Sequence, residues 1–192
     1  MADPSPHFNQ DLLHRPHARL MGNVDEDMLR TLLDALEPAE DGDGDLAVEI
    51  STLGGDAEVA RRMVLEIDLA RSRLPARRFV FIGKTTIYSA GVTIMSAFPK
   101  QDRFITSDAV LLIHSRQLDK TLELSGPLRG SLPKVQALQQ QLETGCRLEE
   151  KGFARLIEGS DIPLHEVKER GLHNWYLTAQ EALDRGLVAA LL

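Results

Sequence analysis

Apolar, strand-prone runs alternate along this chain with stretches whose apolar residues recur at helical spacing. Residues 46–50, 79–82, 103–106 and 109–113 are short and rich in Val, Ile, Leu and Phe, as strands buried on both faces are. Between and around them, Met28, Leu29, Leu32, Leu33 and Leu36 fall on one face of a helix over 25–36. Val59, Met63, Val64, Ile67 and Ala70 do the same from Asp56, a candidate N-cap, to about Arg71. Such alternation predicts an α/β layout in which a mostly parallel sheet is crossed by helices. A long helix is expected over 133–157 and a shorter one from Pro163 to about Arg170. A last helix opens at Thr178 with the capping box Thr178-Ala179-Gln180-Glu181, followed by a strand over 188–192. Residues 1–17 show no periodicity and read as a flexible arm, so one domain over 18–192 is expected.

Charge narrows the function. The chain carries a net charge of −7 over 192 residues, which opposes a nucleic acid partner, because phosphate recognition needs a basic face. No apolar run approaches the length of a membrane span, and the first twenty residues lack the apolar segment of a secretory signal. One cysteine, Cys146, excludes an internal disulfide and fits a cytoplasmic protein. Neither metal nor cofactor is expected. Asp41, Asp43 and Asp45 imitate the start of a calcium loop, but Leu46 stands where glycine is required and Thr52 where a bidentate Glu is required. His14 and His17, beside Pro16, read as arm residues rather than ligands.

Three local features carry chemistry. Gly54-Gly55 lies between a strand and a helix, where paired glycines admit close backbone approach and can turn amides into a cleft. Ser89, in Tyr88-Ser89-Ala90-Gly91, follows a strand and opens a helix whose first amides have no carbonyl partner. A serine there serves either as an N-cap or as an exposed nucleophile. His114 closes the apolar run 109–113, and in an open α/β sheet that strand end shares an address with Ser89. Serine is a weak nucleophile and needs such a base.

The order Gly-Gly, helix-opening Ser89 and strand-ending His114, 25 positions later, resembles the Clp protease proteolytic subunit. Met21-Gly22-Asn23-Val24-Asp25 is similar to that family's first strand and helix entry. Residues 49–55 resemble its strand ending in Ser-Pro-Gly-Gly, with Leu53 in place of Pro. Residues 177–188 resemble its closing helix and strand. The resemblance implies a ClpP/crotonase-like fold of repeated β-β-α units with a long protruding helix. It implies a serine endopeptidase, assembled as a heptameric ring or double ring, that cleaves peptides or unfolded proteins supplied by an AAA+ unfoldase. Carried onto this sequence, Ser89 is the nucleophile, His114 the base and Asn174 the third triad position. The Gly55 and Ala90 amides form the oxyanion hole, and Gly54 and Gly55 pair with extended substrate.

The sequence also departs from that pattern. Asn174 replaces an Asp, and His173-Asn174 replaces an Arg-Asp pair, which implies weak intrinsic activity; Asp161 is an alternative carboxylate. The stretch from Gly83 to Ser89 is about two residues longer than the family's. Residues 117–125 replace a glycine-rich patch. Two other readings stand beside the peptidase: a catalytically impaired ClpP-like scaffold or regulatory subunit, and a crotonase-type CoA enzyme.

Overall fold

The computed structural model describes residues 9–37 and 44–192. Asp41 and Asp43 of the imitation calcium loop fall outside them, as do the first eight residues of the arm.

Strand β1 (Ala18–Val24) runs parallel to β2 (Leu46–Gly55), and β2 runs parallel to β3 (Phe79–Tyr88). Ahead of β1 stands a four-residue helix, α1 (Asp11–His14); helix α2 (Glu26–Leu36) follows β1 and α3 (Ala57–Arg73) follows β2. Both longer helices start where the sequence places a short acidic side chain. Asp25 accepts from the Asp27 and Met28 amides, and Asp56 from those of Glu58 and Val59 at 2.7 and 3.1 Å. The apolar stripe of α3 packs Val59, Met63, Ile67 and Ala70 into the core, and α2 buries Met28, Leu29, Leu32 and Leu36. Leu33, expected on the same stripe, is instead exposed.

The sheet order is β1-β2-β3-β4-β7, with β5 and β6 branching from β3. The first half of β3 pairs with β4 (Arg103–Ile105) and its second half with β5 (Val110–Ile113); β6 (Trp175–Thr178) runs antiparallel to β5, and β7 (Ala190–Leu191) closes the far edge. The change of partner in β3 has a local cause. Ile50 pairs with Gly83, yet Thr52 pairs with Ile87, so β3 advances four residues while β2 advances two. The two surplus residues form a bulge in which Thr85 takes φ of 58°.

Several boundaries differ from expectation. Residues 52–55, expected as a turn because of the glycines, continue β2, with Asn23 paired to Gly54 and Val24 to Gly55. Strand β3 reaches Tyr88 instead of ending at Ile82. Helix α4 (Ala90–Met95) is shorter than the stretch 89–98. Helix α5 (Leu128–Leu156) starts five residues before Pro133, whose ring is accommodated within the second turn. It buries only Ser131, Phe153 and Leu156, so the remainder projects from the body over a total length of about 43 Å. Helix α6 (Leu164–Gly171) and α7 (Ala179–Asp184) follow, the latter with both halves of its capping box formed.

Two cores result, one on each face of the sheet. The larger lies under α2, α3, α4 and the base of α5. The smaller gathers Ala47, Val80, Ile82 and Phe104 beneath Leu12 of α1 and Ala189, Ala190 and Leu192. From residue 9 the arm is therefore packed: Leu12 is buried, the His17 amide donates to Ala47 O at 2.9 Å, and the Ala47 amide donates to His17 Nδ1 at 3.1 Å. Burial, with Arg77 nearby, holds the His17 pKa below its usual value, in keeping with an Nδ1 that accepts. Among the described residues no helix is long and apolar enough to cross a membrane.

Candidate active site

Strands β2, β3 and β5 are mutually parallel, and Gly54-Gly55, Ser89 and His114 all stand at or just beyond their C-terminal ends. Parallel sheets place ligands at that edge, where loops and helix N-termini converge. Ser89 sits between β3 and α4 with φ of 54° and ψ of −110°, a sparsely populated conformation for a residue with a side chain. Strain of this kind persists only where its surroundings impose it. Here the Ser89 amide donates to Leu112 O of β5 at 2.8 Å, and the Ser89 carbonyl accepts from Val92 and Thr93 of α4.

The two roles open to Ser89 are separated by its hydroxyl. It occupies the N-cap position of α4, yet its side chain makes no capping bond. Among the described residues the hydroxyl has no hydrogen-bond partner, and the first amides of α4, those of Ala90 and Gly91, have no intrahelical acceptor.

Gly54 explains how the nucleophile turn and the glycine pair meet. A Cβ built on Gly54 would lie 2.9 Å from Ser89 Cβ and 3.3 Å from Ser89 Oγ. Only a glycine lets β2 pass this close. The Gly54 amide is used by Thr52 Oγ1 at 3.0 Å, and Thr52 Oγ1 in turn donates to Gly22 O at 2.6 Å, so the strand end is fixed from within.

His114 follows β5 by one residue, two beyond the Leu112 carbonyl that holds Ser89. Its ring is half-buried, and Nδ1 bonds Ser115 O at 2.7 Å. A carbonyl only accepts, so Nδ1 carries the proton in this bond, which in the neutral ring leaves the lone pair on Nε2. Among the described residues no hydrogen bond joins Ser89 Oγ to the imidazole. Free active sites often hold such contacts open until substrate binds.

Asn174 lies one position before Trp175, which pairs with Ile113, so it stands across the ladder from His114. Its φ of 58° takes it out of the extended run; it is exposed, and among the described residues its amide has no hydrogen bond to His114. Asp161, the alternative carboxylate, is engaged by Arg185 Nε at 2.8 Å. Trp175 is buried with the Arg170 guanidinium 4.8 Å from its ring centre, and it forms one wall of a hollow lined also by Glu166, His173 and Asn174. Residues 117–125 form neither helix nor strand.

No family model matches the sequence, and no curated protein matches it either. The structure does have a counterpart. A ClpP1 Asn-to-Asp mutant from Listeria monocytogenes superposes with a TM-score of 0.74, covering 95% of this chain and 94% of that one at 17% identity. The chain has the ClpP fold. The α/β class and the long projecting helix expected from the sequence are those of that fold. The neighbour's identity level extends the likeness to architecture, and the chemistry of Ser89 and His114 rests on this chain's own residues.

Proposed function

We propose that this chain is a serine endopeptidase acting through an acyl-enzyme. The observation that carries the reading is Ser89: a strained residue at a strand-to-helix turn, with a hydroxyl that caps nothing, packed against Gly54 and tied to the strand that delivers His114. Ser89 Oγ attacks the scissile carbonyl, and His114 Nε2 takes its proton and passes it to the departing amine. The amides of Gly55 and Ala90 stabilise the oxyanion: Ala90 opens α4, and within the glycine pair the Gly54 amide is already held by Thr52 Oγ1. The Gly54-Gly55 strand end accepts extended peptide as an added strand. Asn174 occupies the third triad position. Its missing charge leaves imidazolium less stabilised, so turnover is slow relative to an Asp-containing site. Assembly into a ring or double ring and delivery of substrate by an AAA+ unfoldase belong to the same reading, as does a cytoplasmic setting.

A fluorophosphonate probe tests the chemistry. The folded wild-type chain is expected to label at Ser89, with labelling lost in Ser89→Ala and reduced by at least about 100-fold in His114→Ala. A folded wild-type chain that stays unlabelled at long incubation sinks the proposal.

One observation favours a second reading, a non-catalytic scaffold: Asn174 is exposed and makes no bond to His114. If labelling arises only in Asn174→Asp, that reading replaces the first.

A further inference from the structure

We infer that His114 is oriented by the main-chain carbonyl of Ser115, which makes Ser115 a positioning residue and leaves the imidazole in its working tautomer without help from Asn174. The inference rests on the peptidase reading for its purpose, but not for its geometry.

A base that accepts the serine proton at Nε2 must carry its own proton on Nδ1, and something must hold that proton. A carboxylate does this by accepting only. An asparagine does it unreliably, because its amide presents a donor as well as an acceptor, and the wrong face stabilises the wrong tautomer. The carbonyl of Ser115 has no such ambiguity. It lies 2.7 Å from His114 Nδ1 and has no proton to offer.

The carbonyl is also fixed in place. The Arg116 amide, which shares a peptide plane with the Ser115 carbonyl, donates to Glu149 Oε2 of α5, and the preceding amide, that of Ser115, donates to Gly171 O at 2.9 Å at the end of α6. The Ser115 hydroxyl is buried and among the described residues has no hydrogen-bond partner, so its side chain sits in the body without being what holds the segment. Asn174 contributes nothing equivalent: it is exposed, outside the ladder at φ of 58°, and without a bond to the imidazole. The position that resemblance assigns to the third triad member is thus adjacent to His114 but not engaged with it, and a neighbouring peptide fills the orienting role. The charge that a carboxylate supplies is absent from this arrangement, so the carbonyl sets tautomer and ring direction and leaves imidazolium stabilisation unsupplied.

The test reads the tautomer directly. Full-length protein labelled with 15N-histidine is studied by two-bond 1H–15N correlation spectra, with His114→Gln identifying the His114 signals. The wild type, Asn174→Ala and Ser115→Ala are each expected to show His114 protonated at Nδ1 and free at Nε2 when neutral. Ser115→Gly, which frees the backbone and releases the carbonyl, is expected to move His114 towards the Nε2–H form and to slow fluorophosphonate labelling by at least about tenfold. Ser115→Ala separates the carbonyl from the hydroxyl, and circular dichroism confirms that each variant is folded. Wild-type His114 in the Nε2–H form overturns the inference, as does a switch to that form in Asn174→Ala. A chain that shows the Nδ1–H form but never labels defeats the peptidase reading and leaves the orienting role intact.

Discussion

A Cβ on Gly55 would sit 2.4 Å from Val24 O and 2.7 Å from Val24 N, with the backbone at φ of 150°. Both the space and the conformation demand glycine, and the neighbour is backbone that cannot step aside. Gly55→Ala is therefore expected to destabilise by roughly 1–3 kcal/mol, read as a lowered midpoint in urea, while also displacing the amide assigned to the oxyanion. Gly145, within α5, is the control: nothing lies within 4 Å of its added Cβ. Gly145→Ala should stabilise by about 0.5–1 kcal/mol, read as a raised midpoint, because alanine gives up less entropy in a helix. Equal effects from the two substitutions would refute this reading of the site's backbone.

Arg103 decides where the base of α5 sits. Its side chain is almost fully buried and donates to three carbonyls, Phe98 O after α4, Leu156 O at the end of α5 and Leu187 O after α7. Burial lowers its pKa to about 10, with Arg155 adding to the shift and Glu158 opposing it, so it remains charged at neutral pH. Arg103→Met removes the cation and strands three acceptors, for an expected loss of about 3 kcal/mol by thermal or urea unfolding. A second tie joins α6 to the turn after α7, where Arg185 Nη2 donates to Glu166 Oε2 at 2.8 Å. The hydrogen bond from Arg185 holds the Glu166 pKa below its usual 4.5. A depressed carboxylate adds stability that is complete above 4.5 and is lost as pH falls through the lower, folded-state value. Glu166→Gln should accordingly flatten the acid limb of a Tm-against-pH curve below 4.5, and an unchanged limb there would remove this ion pair from the account.

At the scale of the molecule, the unpartnered surface is the outer part of α5. Leu128, Leu132, Val135 and Leu142 recur at helical spacing and are 88%, 58%, 41% and 48% exposed. They continue the face that buries Phe153 into the body, so the stripe leaves the core and passes into solvent. Apolar stripes of this kind are usually covered, and in the proposed ring assembly other copies of the chain cover it. The double variant Leu132→Glu/Leu142→Glu is expected to lower the sedimentation coefficient from that of an assembly to that of smaller species, with helix content kept. A wild-type chain that sediments as a monomer at all concentrations would refute ring formation.

How much of this was legible in the residues follows from the range over which each signal acts. Periodicity, caps and the capping box are local, so α2, α3, α7 and the N-cap Asp56 could be read directly. Strand ends were not legible at Gly54-Gly55, because glycine signals a turn unless a neighbouring strand pairs with it, and here β1 does. The packing of residues 9–17 was equally hidden, since Leu12 has meaning only against a sheet face assembled from β2, β3 and β4. The sequence determined which residue types stand at the C-terminal edge: a hydroxyl, an imidazole and two glycines. Only the tertiary structure decided that the hydroxyl caps nothing, that β2 passes within a glycine's breadth of it, and that the imidazole bonds the next carbonyl, not Asn174. Those are matters of distance between strands far apart in the chain, and no local pattern encodes them.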